Sequence, residues 1–348
     1  MENLLKFDAI PSHGGRVEGI LPNGQRVTLA LTPADVHDSS EMPNYLAGYK
    51  PFPFRADEAS PVILVPKSKD KYRNFAANDA FRLVTVENSE QAPPPLVDPS
   101  SSLTEFRTVN KYLGGFVPKQ IESEADNFSP LMQTAKRIKW ALMQNREAEV
   151  WTLLGTSTNW AATQRTAAGT AWDAAGGNPI LDIQTAIEKS LQPVTDIWMN
   201  QQVAFGMLRN DNVRDHMRQF FGDSDVRAMG AQIASAQKLA ADFAIPGFPP
   251  IHVVAGKYLN ETTTTHDYHL GKVAVLTTRP TAVPKDAEEI ASSYTFRRND
   301  GANTGFVVRQ FYVDGLGPLG GEMVVVSTSD VAVITANTVG GIITNAHS

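Results

Sequence analysis

The stretch Ser129-Pro130-Leu131-Met132-Gln133-Thr134-Ala135-Lys136-Arg137-Ile138-Lys139-Trp140-Ala141-Leu142-Met143-Gln144-Asn145-Arg146-Glu147-Ala148-Glu149-Val150-Trp151-Thr152-Leu153-Leu154-Gly155 holds the clearest element of the chain. Ser129 is a good helix N-cap, Pro130 suits the first helical position, and Gly155 stops the run. Leu131, Ala135, Ile138, Leu142 and Leu153 fall near one face at helical spacing. The spacing predicts one helix over 130–154, about 37 Å long at ~1.5 Å per residue. Lys136, Arg137, Lys139 and Arg146 lie on the other face. They read first as a solvated face, and second as a contact with nucleic acid or with a neighbour's acidic surface.

Downstream, residues 156–179 read as a loop of Thr, Ala, Gly and Asn around Trp160 and Trp172. A compact α+β stretch follows. Ile180–Leu191 reads as a helix and Asp196–Asn200 as a strand. Gln201–Phe221 reads as a longer helix broken around Asn210–Asn212, and Gln232–Phe243 as another helix. Ile251–Val254 and Lys272–Leu276 read as short buried strands. From 293 to 345 the pattern is β again: Phe306–Val313, a Gly-rich turn over Asp314–Gly321, then Glu322–Val326 and Val331–Ile334.

Upstream, residues 61–125 predict a long two-stranded excursion. Pro61–Val65 leads in, and Ala80–Val86 and Leu103–Val109 alternate in character. Between them Glu87–Ser102 carries Pro93-Pro94-Pro95, Pro99 and four serines, which cannot pack a core of their own. A lone hairpin is marginal in water, so such an arm is expected to rest on a neighbouring subunit. Residues 1 to about 60 are rich in Pro and Gly. Val17–Ile20 and Arg26–Leu31 flank Pro22-Asn23-Gly24, a hairpin signal. The remainder reads as an extended arm whose Tyr45, Tyr49, Phe52 and Phe54 argue for docking.

Composition narrows the classes. Of 348 residues, 42% are hydrophobic and 20% charged, enough for a sizeable core. The net charge of −6 is unlike that of a protein whose main task is gripping nucleic acid. There is no cysteine, which excludes disulfides, thiolate metal sites and cysteine nucleophiles. The N-terminus has no signal-peptide pattern, and no apolar run approaches the ~20 residues of a membrane helix. The expectation is a soluble protein that stays in the cell that makes it.

Catalytic signatures are missing. Neither a GxxxxGK[ST] loop nor GxSxG occurs, and the Gly-rich turn over Asp314–Gly321 lies between two β-like runs and opens no helix. The most metal-like stretch is His266-Asp267-Tyr268-His269, which reads as a surface loop that would bind zinc only with a third ligand. Carboxylate pairs such as Glu288 with Glu289, or Asp223 with Asp225, sit in polar turns. No catalytic, cofactor-binding or metal residue is assigned.

The order of elements resembles the tailed-bacteriophage major capsid proteins of the Hong Kong 97 type. Local sequence agrees over about 60–345: Arg146-Glu147 through Trp151, Gly169-Thr170-Ala171-Trp172, Asn178-Pro179-Ile180-Leu181-Asp182-Ile183, Ile197-Trp198-Met199-Asn200 with Leu208-Arg209-Asn210, and Arg309–Ile334. The resemblance implies an α+β Hong Kong 97-type capsid fold. Its parts would be an N-terminal arm (1–60), an extended β-hairpin arm (61–125), a peripheral domain (126–179 and 286–348) with a spine helix over 130–154, and an axial domain (180–285).

It further implies self-assembly as hexamers and pentamers into an icosahedral shell around double-stranded DNA, in a virion assembled in the host cytoplasm. Partners would be a separate scaffolding protein, a portal protein and a decoration protein. DNA would be touched only non-specifically, and no membrane or cofactor is implied. Some relatives crosslink through a lysine near the arm tip; residues 83–110 hold none, so that chemistry is not carried over. The nearest alternative is an encapsulin-like nanocompartment shell that encloses protein cargo. Two others are a secreted β-rich adhesion or carbohydrate-binding module, and a metal-dependent hydrolase using His266 and His269.

Overall fold

The computed structural model describes residues 54–75, 102–124, 129–219, 243–260, 264–280, 289–299, 305–313 and 320–348. It also describes Leu46, Tyr49 and the strand backbones Leu4–Leu5, Arg16–Ile20, Arg26–Ala30 and Val36–His37. The fold is mixed α+β: two sheets share one long helix, Pro130–Gly155. The Ser129 hydroxyl accepts from the Met132 N–H at 3.3 Å, closing the helix start as its sequence foretells.

The first sheet is built on Gly321–Ile334. One edge of this strand pairs with Val109–Pro118 from Gly321↔Pro118 to Asp330↔Val109. The other edge pairs with Val307–Val313 over its first half and with Ser293–Arg298 over its second. Val62–Val65 adds in parallel to Ser293–Arg298. The reading of two strands, 322–326 and 331–334, is thus corrected to one. The polar residues between them stay in the ladder because they find partners. Ser329 Oγ donates to Thr108 Oγ1 at 2.9 Å, and Asp330 takes Lys111 Nζ at 2.6 Å.

The second sheet has the order Ile251–Val254, Asp196–Asn200, Ala274–Thr277, Gly341–Thr344, Arg165–Ala167. Its side chains alternate between two cores. Ile197, Met199, Ile251, Val253, Ala274, Leu276 and Ile343 face one cluster, which includes Ile183, Ala186, Val203 and Met207 of helices Pro179–Lys189 and Gln201–Arg209. Trp198, Val254, Val275 and Ile342 face the other, which includes the end of the long helix. The 201–221 helix breaks at Asn210 as expected. Asn210 Nδ2 donates to the carbonyls of Trp172 (3.0 Å) and Gly177 (2.9 Å), and its Oδ1 accepts from the N–H of Asn212.

The long helix serves both sheets. Leu131, Ala135, Ile138 and Leu142 pack on Val117, Val324 and Val326, whereas Val150, Trp151 and Leu154 pack beside Trp198 and Val275. Leu154 and not Leu153 is the buried leucine of the last turn. The approach to the first sheet is close: a Cβ on Gly115 would lie 2.3 Å from Thr134 Cγ2, so a side chain there would push the helix away. The solvated-face reading fails for Lys139 and Arg146, which are 6% exposed each. Arg146 stands four residues after Leu142 and four before Val150, on the core row itself.

Ser102–Arg107 pairs with Lys69–Asn74, and residues 80–86 lie outside the described residues. Two further expectations change. The loop reading around His266 gives way to a two-stranded ribbon, Lys257–Asn260 with Thr265–Tyr268. Residues 156–179 include the strand Arg165–Ala167. The Gly-rich turn at 314–321 lies almost wholly outside the described residues, and the tip Glu87–Ser102 and the 232–243 helix lie outside them apart from their last residues. The hairpin expected around Pro22-Asn23-Gly24 is present as Arg16–Ile20 paired with Arg26–Ala30.

Candidate functional site

His266 and His269 stand in unlike surroundings. His266 is exposed, while His269 is buried with its ring stacked 5.3 Å from that of Tyr258. Burial lowers the His269 pKa, which favours the neutral ring. Asp267 is taken up by Asn260 Nδ2 at 2.8 Å and by the Thr265 hydroxyl at 3.2 Å. Gly256 makes room for the ring: a Cβ there would lie 2.8 Å from His269 Cδ2. Among the described residues no group of three or more His, Cys, Asp or Glu side chains is placed to hold a metal. Among them also no helix is long and apolar enough to cross a membrane.

The strongest polar constellation lies where residues 55–60 pass between the sheets. Ala56–Ala59 makes a single helical turn. Glu147 of the long helix caps it, accepting from the backbone N–H groups of Arg55 (3.0 Å) and Ala56 (2.9 Å) and from Trp151 Nε1 (2.7 Å). Burial raises the Glu147 pKa, and these three donors oppose that rise without cancelling it. Arg146 pairs with Asp57 and lies 3.6 Å from Asp330; Arg297 lies 3.8 Å from Asp57 and 3.9 Å from Asp330. Ser293 Oγ donates to the Ala59 carbonyl, and Thr295 Oγ1 bonds Ser60 Oγ at 3.0 Å.

Towards the second sheet, Asp196 gathers three donors. Thr195 Oγ1 and Arg279 Nε each reach it at 2.5 Å, and His252 Nε2 lies 2.8 Å away. Burial pushes the Asp196 pKa up, but these hydrogen bonds and the Arg279 charge outweigh it and hold the carboxyl below its ordinary value. The His252 ring stacks on Trp198 at 4.4 Å, and Arg55 Nη1 faces its Nδ1 at 3.4 Å. Arg279 Nη1 donates to the Glu58 carbonyl at 3.2 Å. Asp196 is 1% exposed, so this carboxylate joins segments and presents no face to a substrate.

The candidate interaction elements are the two-stranded ribbons Lys69–Asn74/Ser102–Arg107 and Lys257–Asn260/Thr265–Tyr268. Each is a separate two-stranded sheet with exposed apolar side chains: Leu103 on one, Tyr258 and Leu259 on the other. Two strands alone bury too little to be stable in water. The first ribbon is anchored through Tyr72 and Phe106, whose rings pack on Phe296. The sequence shows a strand at Leu103–Val109 but hides the one at Lys69–Asn74, whose charged residues mask the alternation.

No family model and no curated protein matches the chain. Among solved structures, it is similar to a phage-related protein of Bordetella bronchiseptica RB50 at 13% identity and a TM-score of 0.64, over 89% of this chain and 98% of that one. It is also similar to a protein taken to be the capsid protein of a prophage of E. coli CFT073, at 13% identity and a TM-score of 0.56, over 88% of this chain and 99% of that one. The chain therefore shares their fold.

Proposed function

We propose that this chain, which has the fold of a phage-related protein and of a prophage capsid protein, is a shell-forming capsid subunit of the Hong Kong 97 type. The observation that carries the reading is a fold likeness spanning almost the whole of both chains. The projecting ribbons support it. A surface that a monomer leaves half-covered is completed when neighbours cover it, and repeated contacts between unlike patches close into rings and shells.

In this reading the chain has a structural role and no catalytic one. The long helix Pro130–Gly155 is the spine, and the second sheet with its helices forms the axial domain. The first sheet belongs to the peripheral domain, and the Lys69–Arg107 ribbon is the base of the extended arm. Subunits assemble as hexamers and pentamers around double-stranded DNA, and the resemblance adds a scaffolding protein, a portal and a decoration protein as partners.

Expression of the chain alone and with candidate scaffolding proteins, followed by size-exclusion chromatography and negative-stain electron microscopy, tests the reading. Capsomers, tubes or closed particles are expected. Nucleic acid inside native particles marks a phage capsid, and protein cargo marks a nanocompartment. A monomer under every condition removes the shell reading.

A further inference from the structure

The ribbon of Lys69–Asn74 and Ser102–Arg107 has two unlike faces. Residues directly opposite in an antiparallel pair share a face. The register Lys69↔Arg107, Lys71↔Glu105, Arg73↔Leu103 therefore places four cations, one carboxylate and one leucine together. All six are exposed, Leu103 at 61%. The opposite face carries Tyr72 and Phe106, buried against Phe296 at ring distances of 5.5 and 4.1 Å. Lys69 pairs with Glu105 at 2.8 Å, so Lys71, Arg73 and Arg107 dominate the open face. Such a concentration of positive charge stands out in a chain whose net charge is −6.

A complementary patch lies on the same chain, out of the ribbon's reach. The strand Val109–Pro118 leaves the ribbon and runs ten residues, about 33 Å at ~3.3 Å per residue. It ends in the helix Lys119–Glu124. There Ile121 is 50% exposed, Glu124 is exposed and Glu122 partly so. Lys119, the cation of that helix, is turned over the Tyr312 ring at 5.7 Å. Ribbon and helix stand at opposite ends of one strand, so the two can meet only between copies.

We infer that the open face of the ribbon docks on helix Lys119–Glu124 of a second copy of this chain. Leu103 packs against Ile121, and Lys71, Arg73 and Arg107 lie against Glu122 and Glu124. The inference rests on the shell reading and names one of its contacts. Because the two patches differ, the contact is head-to-tail and generates rings. Opposed charges set its register and disfavour the like-charged pairings of ribbon with ribbon and helix with helix.

The test uses the full chain in three variants: Lys71→Glu/Arg73→Glu, Glu122→Lys/Glu124→Lys, and all four changes together. Thermal unfolding confirms that each is folded, and chromatography with electron microscopy reads assembly. The wild type is expected to form particles, either reversal alone to elute as unassembled subunits, and the fourfold variant to regain particles. Assembly of either reversal at the wild-type level, or failure of the fourfold variant to recover, overturns the contact while wild-type particles keep the shell reading. A wild type that never assembles removes both. Loss of binding to a duplex DNA oligonucleotide by Lys71→Glu/Arg73→Glu, with assembly unchanged, assigns the face to phosphates instead and also overturns the contact.

Discussion

The strand Asp196–Asn200 and the strand Lys69–Asn74 sit at opposite extremes of one molecule. All five residues of the first are buried, between the cluster of Ile183, Val203 and Met207 and that of Trp151, Trp198 and Val275. Of the second, only Tyr72 is buried, and its open face carries lysines and an arginine. The first strand takes its stability from its own chain. The second has the hydrogen bonds of a strand without the burial that makes strands durable. The same contrast holds for charge: Asp196 is enclosed by three donors, whereas Lys69 and Glu105 pair with side chains 62% and 51% exposed.

Four substitutions grade this contrast. The largest effect is expected for Trp198→Ala. Trp198 is fully buried, donates from Nε1 to Thr277 Oγ1 at 2.8 Å and carries the His252 ring. Its loss is expected to cost about 3–5 kcal/mol in urea unfolding. A cost under about 1 kcal/mol would mean that this core is loosely packed.

Asp196→Asn comes next, at about 2–3 kcal/mol, because it leaves His252 and Arg279 without their carboxylate. The pH dependence has a definite sign. The Asp196 pKa is lowered on folding from 3.8. Its stabilisation is therefore present above pH 3.8 and lost as pH falls through the lower folded value. The wild type is expected to lose this advantage over the variant in that acid window, and an unfolding difference independent of pH would refute the assignment.

Lys139→Met is expected to cost about 1–2 kcal/mol, because the Leu46 and Tyr49 carbonyls lose the ammonium that satisfies them. Burial lowers the Lys139 pKa, so the charged form is penalised in the fold. Faster limited proteolysis around residues 46–49 is the direct readout; an unchanged cleavage pattern would show that Lys139 does not hold that segment. The smallest effect is expected for Lys69→Ala. An exposed pair of this kind contributes less than about 0.5 kcal/mol, and chemical unfolding of the monomer should barely register its loss. A larger cost would show that the ribbon is stabilised within its own chain, erasing the contrast with Asp196.

Legibility in the sequence follows the range of the interactions. The limits of the long helix were readable because Ser129, Pro130 and Gly155 act within one turn. The strand Asp196–Asn200 and the break at Asn210 were readable for the same reason. The burial of Arg146 was half-readable: its spacing from Leu142 and Val150 puts it on the core row, but its charge argued for solvent. Its partners Asp57 and Asp330 come from distant parts of the chain. The single strand Gly321–Ile334 was read as two because Ser327–Asp330 look like a turn until Thr108 and Lys111 are beside them. The three-residue spacing of His266 and His269 likewise says nothing about which ring a neighbour such as Tyr258 will cover.

By itself, then, the sequence determined what is local: the long helix and its caps, the alternation of the buried strands, the hairpin at 16–30, and a composition without cysteine or catalytic motif. Only the tertiary structure decided which charges are buried, that Lys69–Asn74 pairs with Ser102–Arg107, and that residues 55–60 are held between two sheets. Helix caps and side-chain periodicity depend on residues a few positions apart. Strand partnership and the burial of a charge depend on groups tens to hundreds of positions away, which meet only once the chain has folded.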